Sequence, residues 1–130
     1  MDIKDKNGNI LAKSIISNQH NVEKNFHTKN DEELQVANFM LQKEDIILRH
    51  YHPNQKRSIN TTSEVIVVQS GTLEVDIYDK NHEFVDSFEL NEGDIGILID
   101  GGHGIKIIED CKFVEVKQGP YDEKTDKVRF

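Results

Sequence analysis

The clearest fold signal in the chain lies in residues 64–78, which read Glu64-Val65-Ile66-Val67-Val68-Gln69-Ser70-Gly71-Thr72-Leu73-Glu74-Val75-Asp76-Ile77-Tyr78. Its second half alternates strictly, because apolar residues occupy positions 73, 75 and 77 and acids occupy positions 74 and 76. Successive side chains of a β-strand point to opposite faces of a sheet, so this pattern predicts a strand with one apolar face and one solvent-facing side. The Ser70-Gly71 pair between the two halves indicates a turn that joins two strands.

Short strands and turn signals continue along the chain on both sides of this stretch. We expect further strands over residues 10–16, 34–41, 46–52, 84–90, 94–99, 103–108 and 112–117, and no convincing helix. Turns are supplied by Asn7-Gly8, Asn91-Glu92-Gly93 and Asp100-Gly101-Gly102. Many short strands at this spacing are typical of a sandwich or a barrel, so the sequence predicts an all-β protein.

Composition and charge restrict the functional classes. A chain of 130 residues suits a single domain, and its net charge of −8 argues against binding to nucleic acid or to an anionic membrane surface. The single cysteine, Cys111, excludes an internal disulfide framework and a Cys-rich zinc site. Because we find neither a long apolar segment nor a secretory signal, we expect a soluble, cytoplasmic protein with no membrane partner.

Four residues suggest a metal site. His50 and His52 lie two positions apart, so on a strand both imidazoles point the same way, together with the apolar residues 46 and 48. Glu64 shares parity with the apolar residues 66 and 68, and His103 shares parity with residues 105 and 107. Three histidines and one carboxylate on three strands would then converge inside one barrel, where imidazole suits a divalent metal. Taken singly, each has an ordinary alternative, namely an exposed histidine pair, a solvated glutamate or a turn histidine.

These residues resemble the two sequence motifs of the cupin family. The first motif is His-x-His followed by Glu, six residues and Gly, and here it reads His50, His52, Glu64 and Gly71. The second begins at Gly93 and ends, after a short apolar strand and a glycine turn, in His103. The resemblance covers residues 35–117 and implies a small double-stranded β-helix, or jelly-roll barrel. It implies a divalent metal ion (Zn, Fe, Ni or Mn) held by His50, His52, Glu64 and His103.

The resemblance also implies a domain organisation and an assembly. The single domain of residues 1–130 would comprise N-terminal strands or an arm over 1–33, the barrel core over 34–118 and a C-terminal tail over 119–130. The gap between His52 and Glu64 is longer than in the family motif, which implies an extended loop or an extra hairpin over 53–63. We expect a homodimer, because a small barrel has edge strands that must be hidden.

The expected function is that of a metal-dependent enzyme on a small polar metabolite, such as a sugar derivative or a keto acid. Its chemistry would be isomerisation or epimerisation with Zn, Ni or Mn as Lewis acid, or a dioxygenase reaction with Fe(II). The alternatives are a non-enzymatic small-molecule binding or sensing module, and a metal-free sugar isomerase or epimerase with His50 or His103 as base. Arg57 is a candidate clamp for a substrate carboxylate or phosphate, or else a solvated loop arginine. Three other histidines, at positions 20, 27 and 82, are expected at the surface.

Overall fold

The protein is all-β, as the sequence predicts. A computed structural model describes residues 1–19 and 23–130, and His20 lies outside the described residues. Within these ranges the chain forms one 3-10 turn at Ser17–Gln19 and ten strands: β1 (Asp2–Lys4), β2 (Ile10–Ile15), β3 (Lys24–Phe26), β4 (Ala37–Phe39), β5 (Glu64–Ser70), β6 (Leu73–Tyr78), β7 (Phe84–Leu90), β8 (Ile95–Leu98), β9 (Gly102–Ile107) and β10 (Lys112–Lys117). The described part of the chain contains no helix with the length and apolar character needed to span a bilayer.

The chain folds as two compact units. The larger unit comprises residues 1–17 and 61–130, and the smaller unit comprises residues 18–60. In the larger unit, one antiparallel sheet has the strand order β1-β2-β8-β5-β10 and a second has the order β7-β6-β9. This arrangement of antiparallel sheets is consistent with a β-sandwich or a barrel.

The core of the larger unit follows the predicted alternation. Leu73, Val75 and Ile77 of β6 are at most 1% exposed, and they form one cluster with Ile66 and Val68 of β5. Burying an aliphatic side chain of this size contributes about 1.5–3 kcal/mol. The inward faces of β5 and β6 therefore form the centre of the core, and a polar residue on either face needs a polar partner.

The turn between β5 and β6 requires glycine. Gly71 has a φ of +77°, in the left-handed region that side chains other than glycine rarely adopt. A Cβ atom at this position would lie 2.0 Å from the backbone oxygen of Asp110. The close approach of the 110–111 backbone therefore leaves no space for any other residue. This gives a physical reason for the glycine that follows Glu64 after six intervening residues.

The smaller unit contains one strand pair, in which β3 pairs antiparallel with β4. The prediction of a strand over 46–52 is wrong, because this segment forms no strand and its apolar residues are exposed, Ile46 at 82% and Leu48 at 81%. Alternating apolar residues favour a strand only where a neighbouring strand supplies hydrogen bonds and a surface to pack on. Residues 53–63 also form no strand, so the extended-loop alternative is the one that the structure shows.

Candidate active site

Glu64 is the first residue of β5, and its position is set by pairing on both sides of that strand. It lies opposite Leu98 of β8 and opposite Lys117 of β10. Its parity with Ile66 and Val68 directs it to the inward face, as the sequence predicts, and its side chain is only 13% exposed. A carboxylate at this depth needs a partner, because burying an isolated charge is costly.

That partner is His103, the second residue of β9. His103 pairs with Ile77 of β6, which faces the core, and opposed residues of an antiparallel pair share a face. The strand begins immediately after Gly101, which has a φ of +76° and whose Cβ would lie 2.3 Å from the backbone oxygen of Tyr78. The glycine bend thus starts β9 in the register that places the imidazole beside Glu64.

The two side chains meet directly. Nε2 of His103 lies 3.1 Å from Oε2 of Glu64, with the imidazole 32% exposed. The distance is that of an ion pair, and Oε2 has no other polar partner among the described residues. The side-chain interaction with His103 is the largest cause that lowers the pKa of Glu64 from its ordinary value of 4.5, while burial opposes it. Glu64 is therefore ionised at neutral pH.

A lysine on the other side of Glu64 extends the pair into a charge network. Nζ of Lys117 lies 4.0 Å from Oε1 of Glu64, 3.7 Å from Oε1 of Glu115 and 2.6 Å from Oδ2 of Asp126. The hydrogen bond to Asp126 is the main reason that the pKa of Lys117 is raised above 10.5. Lys117 is not among the site residues that the sequence predicts, because only the β5–β10 register reveals that it faces Glu64.

The Glu64–His103 pair lies in the wall of an open cleft of about 840 Å³. Tyr78 and the start of β9 form one part of the lining, and Glu115 and residues 126–130 form another. All lining residues belong to the larger unit. The C-terminal tail that the sequence predicts over 119–130 therefore contributes to the cleft.

His50 and His52 lie in the smaller unit, in the segment without strands. Both are exposed, and their ring centroids are 5.3 Å apart. Nδ1 of His50 lies 2.8 Å from the backbone oxygen of Leu48. Arg57 is also exposed in this unit, with Nη2 3.5 Å from Oε1 of Gln55. The structure thus brings together two of the four predicted metal ligands, Glu64 and His103, while the four-ligand site and the role of Arg57 stay predictions.

The Glu64–His103 pair has part of the chemistry that a divalent ion needs. Metal–nitrogen and metal–oxygen bonds of about 2.0–2.2 Å at a right angle place two ligand atoms about 3 Å apart, and Nε2 and Oε2 have that spacing. The Lys117 ammonium beside Oε1 opposes a cation at this point. No group of three or more His, Cys, Asp or Glu side chains placed to hold a metal is found in residues 1–19 and 23–130. The pair therefore fits as two ligands of an incomplete set.

Comparison with protein-family models, with curated proteins and with solved structures finds no match to this chain.

Proposed function

We propose that the chain is a cupin-type jelly-roll protein that catalyses proton transfer on a small polar metabolite. His103 is the acid–base group, and Glu64 is the positioning residue that holds its ring. The observation that carries this proposal is the 3.1 Å contact between Nε2 and Oε2 in the wall of the cleft. Pairing of a histidine with a buried, ionised carboxylate is a recurring arrangement in acid–base catalysis.

The chemistry follows from the charge of Glu64. When His103 takes a proton from a carbon next to a carbonyl group, the imidazole becomes positive and the substrate becomes an enolate. The ionised carboxylate at 3.1 Å stabilises that positive charge, and more so because the carboxylate itself is only 13% exposed. Since Nε2 faces Glu64, Nδ1 is the nitrogen that exchanges the proton. Return of the proton to the same carbon or to its neighbour gives epimerisation or isomerisation without any net oxidation.

One specific observation favours the metal-dependent alternative. Oε2 of Glu64 has no hydrogen-bond partner among the described residues, so this carboxylate oxygen is available to coordinate a metal ion. Glu64 and His103 would be two of its ligands, and His50 and His52 are the other two that the sequence predicts. A bound divalent ion would act as a Lewis acid on a substrate carbonyl.

The test is hydrogen–deuterium exchange at carbon, followed by proton NMR in D₂O. A panel of 2-keto acids, aldoses and aldose phosphates is incubated with the wild-type protein, with His103→Gln and with Glu64→Gln. In at least one compound, we expect the wild-type protein to exchange the proton next to the carbonyl for deuterium, so that its signal is lost. This exchange should be abolished in His103→Gln and slower in Glu64→Gln. Circular dichroism of each variant checks that it is folded.

The same assay separates the alternatives. Exchange that persists with EDTA and in His50→Gln supports the metal-independent proton transfer. Exchange that is lost with EDTA, restored by a divalent metal and absent in His50→Gln supports the metal enzyme. Saturable binding of a panel compound without exchange indicates a binding or sensing module. Full exchange in His103→Gln contradicts the proposed role of His103.

A further inference from the structure

The cleft that contains the Glu64–His103 pair is also lined by many charged groups, and its carboxylates already have partners. Asp100 lies 2.7 Å from Nζ of Lys80. Asp126 and Glu115 share Lys117, at 2.6 and 3.7 Å. Asp79 accepts backbone N–H groups of residues 81 and 83 at 2.8 and 3.1 Å. Each of these four carboxylates therefore has a lysine or a backbone N–H group beside it.

Two cations that line the cleft have no close ion-pair or hydrogen-bond partner among the described residues. The side chains of Lys127 and Arg129 both lie in the lining, and neither makes an ion pair or a hydrogen bond with any residue in the described part of the chain. Lys127 is near enough to Glu64 to contribute to the lowered pKa of that carboxyl. Lys127 and Arg129 are therefore the two cations of the lining that are not engaged in an ion pair or a hydrogen bond within the described residues.

The segment that carries these two cations is flanked by two residues with well-defined contacts. Before them, Asp126 is bound to Lys117 at 2.6 Å. After them, the ring of Phe130 stacks on His82 with a centroid distance of 4.2 Å and packs edge-on against Tyr78 at 5.3 Å. The backbone of residues 127–129 thus lies between two anchored residues, which reduces the backbone entropy lost when a ligand binds there.

The glycine bend before β9 provides the space for the second anchor. A Cβ atom on Gly102 would lie 2.6 Å from Cζ of the Phe130 ring. Only a residue without a side chain lets the ring pack at this point, one position before His103 in the chain. The same bend therefore sets the start of β9 and accommodates the anchor of residues 127–129.

We infer that the cleft binds its ligand through an anionic group, a carboxylate or a phosphate, held by Lys127 and Arg129. A guanidinium group binds the oxygens of either anion in a bidentate manner, and a lysine adds a second positive charge. Together with the proposed function, on which this part rests, the inference names the substrate class. It is a small carboxylated or phosphorylated carbonyl compound, with its anionic end at residues 127–129 and its reacting carbon at His103.

The overall charge of the protein makes the inference testable. With a net charge of −8, the chain as a whole repels anions, so saturable binding of a small anion has to come from a local site. The probes are inorganic phosphate and acetate, each titrated into ¹⁵N-labelled protein at constant ionic strength, with sodium chloride as the reference. We expect saturable amide shifts at residues 102–103 and 127–129 with at least one probe, and the probe that binds more tightly identifies the anion.

The variants are chosen to separate local from general charge effects. The double variant Lys127→Gln with Arg129→Gln is expected to raise Kd by at least about tenfold. Lys124→Gln removes a charge from an exposed residue of the same tail that does not line the cleft, and is expected to leave Kd unchanged. Exchanging the two cations, Lys127→Arg with Arg129→Lys, is expected to retain binding. Because all three positions are exposed, these variants should fold, and the dispersion of the amide spectrum checks it.

Several results overturn the inference. They are non-saturable shifts with both probes, an unchanged Kd in the double Gln variant, or an equal loss in Lys124→Gln. Failure of the proposed function is recognised separately. Anion binding that depends on residues 127 and 129, with no carbon exchange in any panel compound, keeps the anion site and rejects the proton transfer. Carbon exchange on neutral aldoses that is unaffected in the double variant keeps the proton transfer and rejects the anion site.

Discussion

Replacement of Gly71 by alanine tests the packing of the β5–β6 turn, because two separate costs can be worked out from the structure. The first is the backbone conformation, since a φ of +77° costs an L-residue about 1–2 kcal/mol. The second is the collision of the new Cβ with the backbone oxygen of Asp110 at 2.0 Å. Relieving it requires a backbone shift, and overpacking of this kind costs about 1–3 kcal/mol.

Gly8 supplies a matched control for the first cost. Its φ is +83°, nearly that of Gly71, but a Cβ atom there would meet nothing within 4 Å. Gly8→Ala therefore carries the conformational cost alone, and the loss of freedom in the unfolded chain offsets part of it in both variants. We expect Gly71→Ala to be less stable than Gly8→Ala by about 1–3 kcal/mol.

Urea unfolding followed by circular dichroism measures this difference. Extrapolation to zero denaturant gives the free energy of unfolding of each variant, and equal m-values would show that the same surface is exposed in both. A domain of this size has a total stability of about 5–15 kcal/mol, so the difference is well within reach of the method. Equal destabilisation by the two substitutions would refute the close approach of the 110–111 backbone to the turn.

Three further predictions concern the tail, the glycine bend before β9 and the turn before β8. The raised pKa of Lys117 contributes stability that is fully present below its ordinary pKa of 10.5 and is lost as pH rises through the higher value in the folded state. Unfolding measured at alkaline pH should therefore show a smaller pH-dependent loss in Asp126→Asn, and an identical loss would contradict the ion pair. Gly102→Ala should displace the Phe130 ring while leaving the sheets intact, because the new Cβ meets the far end of a side chain. Unchanged ring-proton shifts of Phe130 in NMR spectra would be inconsistent with this packing. Asp94 is 3% exposed and accepts two backbone N–H groups at 2.8 and 2.9 Å, so Asp94→Ala should lower the free energy of unfolding by about 1–3 kcal/mol; no change in urea unfolding would argue against those bonds.

Local patterns predicted the larger unit well. The alternation in β6 identifies its buried face because side-chain direction in a strand depends only on position along the strand. The same parity argument predicts inward faces for Glu64 and His103. The structure brings the two into contact, with Glu64 13% exposed and His103 32% exposed, but Ile105 and Ile107, which share the parity of His103, are 37% and 50% exposed. These inferences need no knowledge of which strands are neighbours.

Features that depend on pairing between distant segments could not be predicted from local sequence patterns. Lys117 faces Glu64 only because β10 pairs with β5 in one register, and no local pattern encodes that register. The strand expected around Ile46 is not formed, since apolar alternation does not guarantee a neighbouring strand. The contribution of residues 126–130 to the cleft depends on the contact of Phe130 with His82, which lies far away in the sequence. The metal ion, the small-molecule ligand and the homodimer stay predictions.

The interaction between Glu64 and His103 is tested most directly by titrating the side-chain carboxyl carbon of Glu64 with ¹³C NMR. The structure predicts a midpoint below the ordinary value of 4.5 in the wild-type protein, because the interaction with His103 favours the ionised form. In His103→Gln the midpoint should rise, since the largest stabilising contact is gone while burial remains. A wild-type midpoint at or above 4.5, or one that His103→Gln does not move, would contradict the pairing on which the proposed chemistry depends.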